Sequence, residues 1–135
     1  MRIVALFAAL FVLTAPVIAA ERWQPKAVAS AVEAGTVVLI DIRTPEEWAD
    51  TGLATPAIPA DMISPDFMAK LAEIVASNPG KRLAFICRSS NRSSQVTAAL
   101  EAQAGYTDLI DVAGGMLGKG DAPGWIAEGL PVRQP

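Results

Sequence analysis

The sequence contains no histidine and only one cysteine among its 135 residues. Without histidine, neither a Ser-His-Asp triad nor a Cys-His pair can form, and His-containing zinc sites are excluded. A single cysteine cannot close a disulfide within the chain, and it argues against a structural zinc site. We therefore predict no metal site.

Nucleotide-binding signatures and an excess of basic charge are missing as well. The chain has neither a GxGxxG nor a GxxxxGK[ST] pattern, so no cofactor is predicted. Lys and Arg number 11 against 14 Asp and Glu, which gives a net charge of −3. This balance argues against nucleic acid as a partner.

One long hydrophobic run is present, and it lies at the N-terminus. An arginine precedes the apolar run Ile3–Leu13, and the small residues Ala19 and Ala20 come before the first acidic residue. This is the pattern of a secretory signal peptide, and the run is shorter than the roughly 20 residues of a membrane span. We predict a signal peptide at residues 1–20 and an exported, periplasmic protein without stable membrane insertion. An uncleaved anchor is the alternative.

The remaining residues, 21–135, are enough for one domain with its own core and too few for two typical domains. We predict a single domain there. In an oxidising compartment a lone thiol needs a function or a protective site. Cys87 is therefore the first candidate for a functional residue.

Helix and strand patterns alternate along residues 21–135. Helices are predicted at 25–34, from Thr44–Pro45 onward, at 66–77 and at 93–104, and strands at 36–41, 83–86 and 108–112. The connection 51–65 is predicted to be irregular, with a short strand near Ala57 or at 62–63. The alternation predicts an α/β fold, a parallel sheet covered by helices on both faces.

Two of these helices carry more specific signals. Thr44 and Glu47 have the spacing of a capping box, with Pro45 at the first helical position. In the helix 66–77, apolar residues recur at helical spacing. Those predicted to pack in the core are Phe67, Met68, Leu71, Ile74 and Val75.

Cys87 follows the apolar strand 83–86 and opens the loop CRSSNRS, which leads into the helix 93–104. Its sulfur is expected among free backbone N–H groups at a helix start, between Arg88 and Arg92. These groups favour an exposed thiolate that acts as a nucleophile. A buried structural cysteine is the alternative.

Asp41 ends an earlier buried strand, and Arg43 follows it closely. In a parallel sheet the carboxyl ends of the strands meet at one rim, where ligands bind. We therefore expect Asp41 or Arg43 to border or support the cysteine loop.

Three blocks of the sequence, in this order, resemble the rhodanese-like sulfurtransferase family. They are VVLIDIRTPEEW at 37–48, CRSSNRS at 87–93, and the glycine-rich segment 112–125 with its tryptophan, followed by GLPV at 129–132. The resemblance implies a three-layer fold whose central, mainly parallel sheet has about five strands. It also implies sulfur transfer. A loop cysteine takes a sulfane sulfur from an anion such as thiosulfate, becomes a persulfide, and passes the sulfur to cyanide or a thiol, including that of a partner protein.

The resemblance assigns roles to the residues of the loop. Cys87 is the nucleophile, Arg88 meets the anionic donor, and Arg92 braces the loop through an acidic partner. The residues whose amides would hold the terminal sulfur are Arg88, Ser89, Ser90, Asn91, Arg92 and Ser93.

The chain departs from the family pattern at two places. Residues 52–57 replace a GHIPGA-like segment and lack its histidine, and Ser90 stands where glycine is common. Glycine adopts a positive φ freely, whereas serine is strained there. Modest turnover with a standard donor is the expectation.

Two other functions compete with sulfur transfer. Tyrosine phosphatases have a similar loop with five residues between cysteine and arginine, whereas Cys87 and Arg92 enclose only four, 88–91. The smaller ring fits sulfur better than phosphate. The second alternative is a rhodanese-like module that binds sulfur or a partner without turnover, since function depends on the site rather than the fold.

Overall fold

The computed structural model of the protein describes residues 19–135. Its helices are α1 (Pro25–Glu33), α2 (Pro45–Thr51), α3 (Phe67–Ser77) and α4 (Asn91–Gln103). Its strands are β1 (Glu21–Trp23), β2 (Val37–Asp41), β3 (Leu53–Ala54), β4 (Ile58–Pro59), β5 (Arg82–Ile86), β6 (Ile110–Val112) and β7 (Val132–Arg133). Within this part of the chain, no helix has the length and apolarity needed to cross a membrane. Except for its last two residues, the predicted signal peptide lies outside the described residues and stays a prediction.

As predicted, five strands form one parallel sheet, and their order is β1-β6-β5-β2-β4. The central pair, β2 and β5, is in register from Val37 beside Arg82 to Asp41 beside Ile86. Because both strands run the same way, the residues after Asp41 and after Ile86 leave the sheet at the same rim. This pairing confirms the expectation that the strands that precede Arg43 and Cys87 end at one rim of the sheet.

The sheet is covered on both faces because its strands are apolar on both faces. All five residues of β2 are buried, which matches the continuous apolar run of its sequence. Val38 and Ile40 share one apolar cluster with side chains of α3 and α4, whereas Val37 and Leu39 share the other with Val28 of α1. The result is the predicted three-layer α/β fold.

Three short strands, β1, β3 and β7, were not predicted from the sequence. β1 has only three residues, two of them charged, and it becomes a strand by pairing with β6, where Arg22 lies beside Asp111. The small antiparallel sheet of β3 and β7 joins segments far apart in sequence. In the connection 51–65, the short strand is Ile58–Pro59, next to Ala57, whereas 62–63 lies in a turn.

Helix predictions need two corrections. Met68 and Val75 were expected in the core but are 47% and 39% exposed. The reason is that α3 lies in an outer layer and buries only the narrow stripe of Leu71 and Ile74. Helix α4 begins at Asn91, two residues before the expected start, so its first turn belongs to the cysteine loop.

An ion pair between Asp41 and Arg43 is fully buried where β2 ends. The guanidinium of Arg43 donates to Asp41 at 2.7 Å, and it also donates to the Thr51 hydroxyl at 2.7 Å and the Gly52 carbonyl at 2.8 Å. These contacts tie the end of α2 and the start of β3 to the sheet. A buried charge of either sign is costly without its partner.

We predict that Arg43→Ala lowers the free energy of unfolding by about 3–5 kcal/mol, because it leaves the Asp41 carboxylate buried and unpaired. Urea denaturation measures this loss. Lys70→Ala is the control, since Lys70 and Glu73 form an exposed pair at 3.9 Å, and removing it should change stability by about 0.5 kcal/mol or less. Equal losses in the two variants would contradict the structural role of the buried pair.

Candidate active site

Cys87 lies where β5 ends and the loop to α4 begins. The residue is only 1% exposed and belongs to the apolar cluster beneath α3 and α4. The expectation of an exposed thiol is therefore wrong, because the last strand residues carry the side chain into the core before the chain turns. The thiol occupies the base of its loop rather than the surface.

The Cys87 sulfur has polar neighbours despite its burial. The Ser93 amide donates to Sγ at 3.4 Å, and the Ser93 hydroxyl oxygen lies 3.3 Å from it. The backbone amides of the five residues before Ser93, 88–92, have no hydrogen-bond acceptor within residues 19–135. A run of free amides at a helix start is suited to an anion.

The carbonyl groups of the loop are held on its other side. Met116 donates its amide to the Cys87 carbonyl at 2.8 Å, and Leu117 donates to the Arg88 carbonyl at 2.9 Å. Gly115 approaches so closely that a Cβ atom there would lie 2.5 Å from the Cys87 carbonyl oxygen. The glycine-rich block of the sequence is therefore a backbone support for the loop.

Ser90 adopts the left-handed conformation that the sequence left in doubt. Its φ is 75° and its ψ is −7°, immediately before the first residue of α4. The Ser90 side chain is buried, and its hydroxyl donates to the Asp111 carboxylate at 2.8 Å. A specific hydrogen bond thus accompanies the backbone strain of a non-glycine residue at this position.

Asp111 is the residue of this site that sequence reasoning missed. It lies in β6, beside Phe85 of β5, and is only 3% exposed. One carboxylate oxygen accepts from the Ser93 hydroxyl at 2.6 Å, while the other accepts from Ser90 and from the Arg22 guanidinium at 3.1 Å. The available signal was a carboxylate in the middle of a short apolar strand, where an acidic residue needs partners.

Arg92 braces the loop through an acidic partner, and that partner is Glu47. The two side chains form a bidentate pair with distances of 2.6 and 2.7 Å. Hydrogen bonding from Arg92 lowers the pKa of Glu47 from 4.5 to about 2, and the same contact raises the pKa of Arg92. Glu47 also closes the predicted capping box with Thr44, so α2 and the cysteine loop are joined.

Two further cations lie at the loop. Arg88 is exposed, and its side chain has no hydrogen-bond or ion-pair partner within residues 19–135. Lys119, which the sequence reading did not single out, donates to the side-chain oxygen of Asn91. Arg88 is thus free to meet an anion from solvent.

Asp41 and Arg43 reach the same rim, but within residues 19–135 their side chains form no hydrogen bond or ion pair with the loop. Their contacts, given above, fix α2, and α2 carries the Glu47 carboxylate that holds Arg92. They therefore support the loop indirectly.

The chain is similar to a protein-family model and to several solved structures. The family model of the rhodanese-like domain matches residues 24–118. The M. tuberculosis protein Rv0390 is 27% identical with a TM-score of 0.68, over 87% of this chain and 100% of that one. A thiosulfate sulfurtransferase from Pseudomonas aeruginosa is 19% identical with a TM-score of 0.65, over 85% of this chain and 20% of that one.

A Rhodopseudomonas palustris protein named as a possible tyrosine phosphatase is 21% identical with a TM-score of 0.61, over 84% of this chain and 85% of that one. This likeness and that to the Pseudomonas enzyme show the fold alone. Comparison with curated proteins gave no match.

We predict that Glu47→Gln destabilises the protein at neutral pH by about 1–3 kcal/mol, since it removes a charge-assisted bidentate pair. Because folding lowers the pKa of Glu47, the ionised carboxylate stabilises the fold above about pH 4.5, and this contribution is lost as the pH falls toward about 2. The stability difference between wild type and variant should therefore shrink over that interval. Denaturation at several pH values measures it.

The matched control for this prediction is Glu46→Gln. Glu46 is the exposed neighbour of Glu47 in the same helix turn, so its loss should leave stability nearly unchanged. A difference between wild type and Glu47→Gln that stays constant from neutral pH down to about 2 would contradict the role of the ion pair.

Proposed function

The chain belongs to the rhodanese-like domain family, and we propose that it is a sulfurtransferase that works through a persulfide on Cys87. The donor is a sulfane-sulfur anion such as thiosulfate, and the acceptor is cyanide or a thiol. The observation that carries this proposal is the loop itself: a cysteine followed by five backbone amides that have no acceptor within residues 19–135. Arg88 and Arg92 both belong to this loop, and the Arg88 side chain is exposed.

In the first half-reaction, Sγ of Cys87 attacks the outer sulfur of thiosulfate. A bond forms between Sγ and that sulfur while the S–S bond of thiosulfate breaks, and sulfite leaves with the bonding electron pair. The thiol proton leaves with sulfite or passes to solvent. The terminal persulfide sulfur then carries the negative charge, and the free amides stabilise it without a general base.

In the second half-reaction, the acceptor attacks the terminal sulfur. Cyanide forms a carbon–sulfur bond and leaves as thiocyanate, while Sγ takes back the electron pair of the broken S–S bond as a thiolate. A thiol acceptor becomes a persulfide in the same way and releases its proton. The thiolate then takes up a proton from solvent, and Cys87 is back in its starting state.

The charged side chains of the loop attract the donor and hold the loop in place, and they form no covalent bond with the substrate. We assign to exposed Arg88 the attraction of the anionic donor. Both terminal nitrogens of Arg92 donate to the Glu47 carboxylate. Arg92 therefore holds the loop in place and adds positive charge near the sulfur. Cys87 is only 1% exposed, and in this proposal the donor approaches Sγ from the side of the free loop amides.

A second function, a module that binds sulfur or a partner without turnover, is favoured by one observation. Cys87 is 1% exposed, and a buried thiol meets a large acceptor poorly. Phosphatase activity gains no such support, since only four residues separate Cys87 from Arg92.

We also propose that the signal peptide at 1–20 is removed and that the domain works in the periplasm. In that compartment a thiol-bearing protein is the natural class of acceptor. The strand β1 begins at Glu21, directly after the proposed cleavage site, and pairs with β6. Cleavage there would leave the sheet complete.

Intact mass spectrometry of the mature protein, before and after thiosulfate and then cyanide, tests the proposed chemistry. We predict a gain of one sulfur atom, about 32 Da, that cyanide removes. Cys87→Ser should show no gain. A stable adduct that neither cyanide nor thiols remove would favour the binding module, and no adduct on wild type would reject transfer from thiosulfate.

We predict that Arg88→Ala raises the KM for thiosulfate about fivefold with little change in stability, because an exposed charge attracts the anion without packing in the core. Steady-state kinetics and denaturation measure the two effects. Lys81→Ala is the control for loss of a surface cation, since Lys81 is exposed before the opposite end of β5. An unchanged KM in Arg88→Ala would remove the assigned role.

A further inference from the structure

Asp111 connects three groups that the sequence does not place together. Its side chain accepts hydrogen bonds from Ser90, Ser93 and Arg22, and these partners come from the loop, the start of α4 and the edge strand β1. The carboxylate is almost completely buried, while the Arg22 side chain is 61% exposed. A buried carboxylate that accepts hydrogen bonds from three donors is held in one position.

The first oxygen of Asp111 determines the direction of the Ser93 hydroxyl. Ser93 Oγ lies 2.6 Å from Asp111 and 3.3 Å from Cys87 Sγ. A hydroxyl has one proton, and an ionised carboxylate only accepts, so this proton is directed to Asp111. The Ser93 oxygen therefore presents lone pairs to Cys87, and the thiol S–H is the donor between them.

The second oxygen of Asp111 holds the backbone of the loop. Ser90 has a φ of 75°, and its hydroxyl donates to this oxygen at 2.8 Å. A left-handed conformation costs a non-glycine residue about tenfold in population. The hydrogen bond to a buried acceptor offsets that cost. Without it, the loop backbone around Ser90 would no longer be held in this conformation.

We infer that Asp111 is the positioning residue of the cysteine loop: through Ser90 it maintains the loop backbone, and through Ser93 it orients Cys87. This inference rests on the proposed function, since it concerns the same site. Arg22 keeps the carboxylate in place from β1. Asp111 touches no reacting atom, so its effect passes through the two serines.

The experiment is a double-mutant cycle of Asp111→Ala and Ser90→Gly. Glycine adopts a positive φ without support, so the loss caused by Asp111→Ala should be smaller in the glycine background. Each variant is measured for the rate of persulfide formation from thiosulfate, for donor KM, and for the rate of Cys87 alkylation by iodoacetamide. Circular dichroism confirms that each is folded at the assay temperature.

We expect Asp111→Ala to slow persulfide formation about tenfold and to leave donor KM within about twofold, because Arg88 still attracts the donor. In the Ser90→Gly background the loss should shrink to about threefold or less, with the remainder due to Ser93. Asp111→Asn keeps an acceptor oxygen and should lie between wild type and Asp111→Ala. Ser94→Ala is the control for a hydroxyl lost in the same helix turn as Ser93, since the Ser94 hydroxyl donates to the Asn91 carbonyl and not to Asp111.

A loss that is equal in both backgrounds, or a loss carried entirely by KM, would overturn the inference. If Asp111→Ala does not fold, Asp111→Asn takes its place in the cycle with the same criteria.

Failure of the proposed function is recognised separately, because wild type would then form no persulfide. In that case the rate of Cys87 alkylation is the readout that tests the positioning role of Asp111. Faster alkylation in Asp111→Ala, partly reversed by Ser90→Gly, would support the positioning role, and an unchanged alkylation rate would overturn it.

Discussion

The parallel pairing of β2 with β5 is the constraint on which the rest of the structure depends. It aligns Asp41 with Ile86, so the chain leaves both strands at one rim of the sheet. From one strand the chain continues into the α2 helix with its Glu47 carboxylate, and from the other into the cysteine loop. The Glu47–Arg92 ion pair follows from this proximity, although the two residues lie 45 positions apart in the sequence.

The cysteine loop keeps its amides free because other contacts hold its shape. Backbone amides of residues 116 and 117 take the loop carbonyls, Glu47 takes Arg92, and Asp111 takes two serine hydroxyls. These contacts involve separate elements, so the loop is fixed from several directions. A rigid, preorganised set of N–H groups stabilises a developing anion at little reorganisation cost. In the proposed reaction of this chain, which contains no histidine, this electrostatic arrangement takes the place of a general base.

Several features were predictable because their signals are local. A continuous apolar run predicts a strand buried on both faces, and the spacing of Thr44 and Glu47 predicts a capping box. Features that depend on distant partners were not predictable in this way. The charged strand β1 exists only because β6 offers backbone partners. Met68 is exposed because the position of α3 in the outer layer decides how wide its buried stripe is.

The sequence by itself determined the fold class, the single cysteine at a strand end, and the polar loop that follows it, because these depend on residue type and short-range order. Only the tertiary structure decided how this loop is held. Ser90 is left-handed and Asp111 is its acceptor because β6 lies beside β5 and directs a carboxylate toward the loop. The burial of Cys87 likewise depends on helices packed over the strand end. Contacts between residues far apart in the chain have no signature in local sequence.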